Sequence, residues 1–171
     1  DAVMVFWGAP LPQEDHAWRA VGCAWHMCVR LAELEEKWKS EGKEPIHIGI
    51  GINTGEAIVG NIGADGKKMD YTVIGDAVNL AARVESLTRK YETDIIITGN
   101  TYAQIKSRLE GGVGQLHQEG IAISQENHSF AVRELDKVKV KGKEETIPIY
   151  GVNRALKGEE KEEAGVMEDG T

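Results

Sequence analysis

The sequence predicts an α+β protein in which a mixed β-sheet carries helices packed against it. Ile46, Ile48, Ile50 and Ile52 alternate with His47, Gly49, Gly51 and Asn53, the period of a strand with one apolar face and one nearly bare face. Ala17, Ala20, Val21, Ala24, Met27, Cys28, Leu31, Leu34 and Trp38 recur instead at the three-and-four spacing of an amphipathic helix. Strand-like and helix-like segments then alternate along the chain with hairpins among them, as a layered mixed sheet requires. At 171 residues the chain suits one domain with a real core.

Residues 2–7 read as a buried strand. Strand material so early needs sheet neighbours from elsewhere, so the chain is expected to be the later part of a longer domain. After Pro10 and Pro12, Asp15 is the expected cap of the first helix, which closes near Gly42 and Pro45. A strand over 46–52 follows, then a turn at Asn53-Thr54-Gly55, and 56–62 is expected to return as its hairpin partner. Asp65-Gly66 turns the chain into a strand ending at Ile74. Gly75 and Asp76 break it before a helix to about Tyr91, with Asp76 as a candidate cap. On that helix Val78, Ala81, Val84 and Tyr91 form an apolar stripe, while Asn79, Arg83, Ser86 and Lys90 form a polar one. Ile95–Thr98 is a short apolar strand, and Asn100 or Thr101 caps a helix to about Leu109. Gly111-Gly112 and Gly114 open a loop, and 130–152 reads as a hairpin bending near Lys141-Gly142-Lys143. From Ala155 onward the chain is acidic and lacks aromatics, so it is expected to be disordered. The expected organisation is one domain over 1–153 and an acidic tail over 154–171.

Hydrophobic residues at 41% and charged residues at 28% are the composition of an ordinary globular domain. A net charge of −8 argues against a nucleic-acid binder, whose footprint would be basic. Part of that charge lies after Asn153, where Glu159, Glu160, Glu162, Glu163, Glu168 and Asp169 outnumber the lysines. Cys23 and Cys28, five apart on one helical pattern, project differently and have no other cysteine to meet, which fits a reduced, cytoplasmic setting. No run reaches membrane-spanning length and no signal-peptide pattern opens the chain, although a membrane segment elsewhere in a longer parent stays open. The five histidines lack ligand spacing and read as structural.

The most informative segment is 69–85, MDYTVIGDAVNLAARVE, in which a strand runs through a glycine turn into a helix. Asn79 and Arg83 are four apart on that helix and so share a face, which aims an amide and a guanidinium at one place. Read alone, they are a solvated face of an amphipathic helix. The whole string, however, resembles the signature of the class III nucleotidyl cyclases, the adenylyl and guanylyl cyclase family. Three further segments match in order: DAVMVFWGAP at the start, IGINTGEAIVGNIG at 50–63, and KVKGKEETIPIYGV near the end. A lone Gly49-Ile50-Gly51 would be a weak signal, whereas four ordered segments are specific.

The resemblance implies an α+β, ferredoxin-like domain that attacks the α-phosphate of a nucleoside triphosphate with the ribose 3′-hydroxyl, assisted by two divalent cations, Mg2+ or Mn2+. Asp1 matches one of two metal-binding aspartates, the other belonging to a segment before this chain. Arg83 matches the transition-state arginine, Asn79 the asparagine that orients the ribose, and Lys141 the lysine that reaches the terminal phosphates. Taken alone, Lys141 reads equally as a solvated hairpin lysine beside Lys139 and Lys143. Thr72 stands where many adenylyl cyclases carry an aspartate that reads adenine. A threonine there resembles a bacterial variant in which a lysine and a threonine read the base, so ATP is the expected substrate. Ile74 is expected to add apolar wall to the base pocket.

Because the chain carries both the Asp1 and the Thr72, Asn79 and Arg83 classes of residue, the resemblance implies a twofold homodimer with sites shared between the two copies. An upstream regulatory domain is expected in the parent protein. The alternatives are a guanylyl cyclase and a cyclase-like nucleotide-binding or dimerisation module without turnover.

Overall fold

The structure, a computed structural model, describes residues 2–63, 70–110, 112–116, 129–139 and 145–154. Asp1, Lys141, the turns at Asp65-Gly66 and Lys141-Gly142-Lys143, and the tail from 155 onward lie outside the described residues.

Helix α1 spans His16–Ser40. Asp15 takes the N-cap position, but its carboxylate makes no capping bond and instead accepts from Arg19 Nε at 2.8 Å. The buried face is Ala17, Ala20, Val21, Gly22, Ala24, Trp25 and Val29, while Met27 and Leu34 lie exposed. The apolar stripe therefore runs through Trp25 and Val29 rather than through Met27. Strand β1 (Ile50–Ile52) leads to β2 (Ile58–Ile62) and β3 (Asp70–Ile74), then α2 (Asp76–Ser86), β4 (Ile95–Thr98) and α3 (Gly99–Ile105). A 3-10 turn (Lys106–Arg108) and the short strands β5 (Leu109–Glu110) and β6 (Val113–Gln115) precede the long pair β7 (Ser129–Lys139) and β8 (Thr146–Arg154).

Among the described residues, six strands form one sheet in the order β1-β4-β8-β7-β6-β5. The β1–β4 pair is parallel and the other pairs are antiparallel, so the sheet is mixed, as the α+β expectation requires. Two expectations are corrected here. First, 56–62 does not pair with the strand before it. Strand β2 pairs with β3 in a separate two-stranded ribbon, from Ile58↔Ile74 to Ile62↔Asp70, while β1 takes β4 as its neighbour with Ile50 opposite Ile95. A parallel partner needs a long crossover, which β2, β3 and α2 supply. Second, residues 2–7 form no strand, and Val3, Met4 and Val5 are exposed. No described strand pairs with them, and Phe6 instead meets the ring of Tyr71 at 6.1 Å.

Strand β4 is buried along its whole length, and its alternation divides the interior in two. Ile95 and Ile97 face a core built with Ala17, Val21, Ala24, Trp25 and Val29 of α1, Ile105 of α3, and Phe130 and Val152. Ile96 faces the opposite side, where Leu80 and Val84 of α2 meet Val138 and Ile149. Burying each of these isoleucines stabilises the fold by about 1.5–3 kcal/mol relative to exposure. A bulge between Glu134 and Asp136 changes which side of the sheet β7 serves, so Phe130 belongs to the first core and Val138 to the second. Cys23 and Cys28 are both free thiols. Burial, with the Asp94 carboxylate adding to it, pushes Cys28 up to about 12, which leaves it protonated and inert.

Candidate active site

The geometry that matters begins where β3 becomes α2. Gly75, not Asp76, takes the cap position, with φ 144° and ψ 171°, a conformation that only glycine adopts without strain. The chain therefore leaves the ribbon and enters the helix in one residue, and the Gly75 carbonyl accepts from the backbone N–H of Val78 at 3.1 Å and of Asn79 at 3.3 Å. One turn on, Asn79 and Arg83 are both exposed, and residues four apart on a helix keep their Cβ atoms about 5–6 Å apart. The buried stripe of α2 runs through Leu80 and Val84, extended by Leu87 and Tyr91, so the polar face carrying Asn79 and Arg83 turns away from the core.

Arg83 is not loose on that face. Its Nη1 donates to the backbone carbonyl of Lys139, at the end of β7, at 2.6 Å. At the far end of the same segment the Tyr91 hydroxyl donates to Asp136 Oδ2 at 2.5 Å. Two bonds thus fasten the polar side of α2 and its extension to β7, whose next residues in sequence lead to Lys141.

Thr72 is half-buried on β3 opposite Gly60, and Ile74 lies two residues on, on the same ribbon face, opposite Ile58. A Cβ added to Gly60 would meet nothing within 4 Å, so the face beside Thr72 is open. Ile74, Ile58, Glu56, Ala57 and Gly75 line an open depression of about 450 Å³. The structure therefore brings Thr72 and Ile74 together on the strand entering Gly75, and Asn79 and Arg83 together on the helix leaving it. Asp1 and Lys141 fall outside the described residues. Among the described residues, no group of three or more His, Cys, Asp or Glu side chains is placed to hold a metal ion.

Sequence reasoning missed the seat on which α2 rests. A Cβ added to Gly51 would lie 2.3 Å from the backbone nitrogen of Glu85 and 2.4 Å from the Ala81 carbonyl oxygen, so the helix backbone sits directly on β1. The nearly bare face of that strand was the visible signal. It also missed Asn53, whose Nδ2 donates to the Ala77 carbonyl at 3.0 Å.

A family model described as the adenylate and guanylate cyclase catalytic domain matches residues 1–153. The chain belongs to this cyclase family. It is 29% identical over 165 residues to adenylate cyclase 1 of Rhizobium meliloti (strain 1021), an alignment covering 96% of this chain and 22% of that protein. It is 34% identical over 139 residues to the adenylate cyclase of Anabaena cylindrica, covering 76% of this chain and 24% of that one. Among solved structures, the adenylyl cyclase CyaB from P. aeruginosa matches with a TM-score of 0.66 and 32% identity, over 89% of this chain and 66% of that chain. This cyclase-family chain thus spans less than a quarter of the length of either curated relative. Membership of the family implies divalent-metal use in general. No helix among the described residues is long and apolar enough to cross a membrane.

Proposed function

We propose that this chain is the catalytic portion of an adenylyl cyclase, converting ATP to 3′,5′-cyclic AMP and pyrophosphate at a site shared by two copies. The supporting observation is the β3–Gly75–α2 unit, which sets an exposed guanidinium and an exposed amide on one helix face directly after the strand bearing Thr72 and Ile74. In the reaction, the ribose O3′ forms a bond to the α-phosphorus while the bond from that phosphorus to the bridging oxygen breaks. The electron pair leaves with pyrophosphate, and the hydroxyl proton passes to solvent.

Arg83 offers a planar, permanently charged fork to the charge that builds on five-coordinate phosphorus. Its bond to the Lys139 carbonyl uses one of five N–H donors and holds the others in place. Asn79 holds the ribose, the Thr72 hydroxyl hydrogen-bonds the adenine edge, Ile74 supplies apolar wall, and Lys141 receives the terminal phosphates. Divalent cations, Mg2+ or Mn2+, two per site and held in part by Asp1, would neutralise the triphosphate and acidify the attacking hydroxyl. The depression beside Ile74 is open on one side, and the ribbon exposes Ile58, Tyr71 and Ile74, apolar surface that a second copy would cover. This supports a homodimer whose two sites each draw on both chains.

The test is nucleotide turnover by the full-length protein and its Asn79→Ala and Arg83→Ala variants. Each variant is expected to form cyclic AMP about 10²–10³-fold more slowly while keeping its fold by circular dichroism, because neither side chain belongs to the core. Undiminished turnover in either variant would contradict the reading. Preference of the wild type for GTP would favour a guanylyl cyclase, and binding without turnover would favour a nucleotide-binding module.

A further inference from the structure

Directly after β1, the Asn53 carboxamide ties α2 to β4. Its Nδ2 donates to the Ala77 carbonyl at 3.0 Å, in the first turn of α2. Its Oδ1 accepts from the Thr98 hydroxyl at 2.7 Å, at the end of β4. Thr98 is fully buried and also caps α3, with its side-chain oxygen accepting from the Thr101 backbone N–H. Thr101, likewise fully buried, shares a 3.0 Å hydroxyl contact with Thr54, the residue after Asn53. No buried side-chain polar atom among the described residues lacks a partner, so this network is satisfied. A satisfied polar network in a low-dielectric setting fixes a single arrangement.

That arrangement bears on the site because Ala77 lies two residues before Asn79 and six before Arg83. Against β1 the backbone of α2 rests on the bare Gly51, and its side-chain hold on the sheet comes from Leu80 and Val84, which begin three residues past Ala77. The first turn of α2, residues 76–79, lies ahead of those two buried side chains. The Asn53 bond to the Ala77 carbonyl ties down that first turn, the end from which the polar face is presented. We infer that Asn53 is a positioning residue, fixing the rotation and axial placement of α2 so that Asn79 and Arg83 meet the transition state together. An amide is the side chain suited to this role, because it donates to one partner and accepts from another at the same time. The inference rests on the proposed roles of Asn79 and Arg83.

The experiment is a double-mutant cycle in the full-length protein, with cyclic AMP formation from ATP as readout and the folded fraction matched by circular dichroism. Asn53→Asp keeps the shape and the acceptor for Thr98 but loses the donor, and sets a carboxylate against the Ala77 carbonyl. It is expected to lower kcat about tenfold to thirtyfold with KM changed by less than about twofold, because misorientation affects the transition state more than the bound substrate. In an Arg83→Ala background the same substitution is expected to cost only about threefold, since one of the two groups being positioned is gone and Asn79 alone remains. A merely structural residue would give the same fold-loss in both backgrounds, and that result would overturn the inference. If Asn53→Asp does not fold, Asn53→Ser carries the same cycle, and failure of both variants to fold would mark the residue as structural only. Full activity in Arg83→Ala alone would instead overturn the proposed function, a separable outcome.

Discussion

Arg83 commits one donor to a backbone carbonyl on β7, and this distinguishes it from an ordinary exposed arginine, which would sample many rotamers. An immobilised side chain loses less entropy when substrate binds. In the proposed reading base choice turns on Thr72, and its surroundings suit that role, being half-buried on a ribbon face left open by Gly60. Thr72→Val keeps the β-branched shape favoured in a strand and removes only the hydroxyl. One hydrogen bond is worth about 1–1.5 kcal/mol, or about tenfold. The ratio of kcat/KM for ATP to that for GTP is therefore expected to fall about tenfold in the intact protein, and an unchanged ratio would remove Thr72 from base recognition. At this scale the sequence was most legible where a residue stands in a long specific string, as Asn79 and Arg83 do. It was least legible for Asn53, which reads as a turn residue because its two partners lie 24 and 45 positions away.

Among the elements, α2 decides the geometry of the site. It is seated on Gly51 of β1, tied at its first turn by Asn53, and fastened to β7 by Arg83 and Tyr91. The Tyr91–Asp136 bond gives this fastening a pH dependence. The hydrogen bond from Tyr91, helped by the backbone N–H of Lys137, holds the Asp136 carboxyl below its ordinary value of 3.8. A carboxyl lowered in the folded state stabilises the fold above its unfolded pKa and loses that contribution as pH falls through its folded pKa. Tyr91→Phe is thus expected to lower the thermal midpoint at neutral pH, with the gap from wild type narrowing as pH falls below about 3.8. Thermal melts across the acid range would show it, and a gap independent of pH would contradict it. The strands of the sheet were only partly legible for a related reason. Alternation at 46–52 announces a strand but carries no information about its neighbour, and the nearest candidate, 56–62, lost to β4 because the β1–β4 register is set by the buried face of Ile95–Thr98. The bulge in β7 was invisible for the same reason, since it exists only relative to β8.

For the whole molecule, the described residues form a mixed sheet with α1 and α3 on one face and α2 on the other, and a β2–β3 ribbon carrying exposed apolar residues. The class of the fold was legible because periodicity survives in each element separately. The expectation of sites shared between copies rests on resemblance alone, because no single chain's packing reveals which surface a twin would cover. In the proposed reading, Thr72, Ile74, Asn79 and Arg83 around one turn make one half of a nucleotide site, and carboxylate-held cations come from the other chain. The most direct measurement mixes two separately inactive full-length variants, Asp1→Ala and Arg83→Ala, under conditions where subunits exchange. Random pairing leaves half of the dimers mixed, each with one intact site of two, so cyclic AMP formation should recover to about one quarter of the wild-type rate. If mixed dimers form and activity stays at the level of the separate variants, the two residues do not serve one shared site.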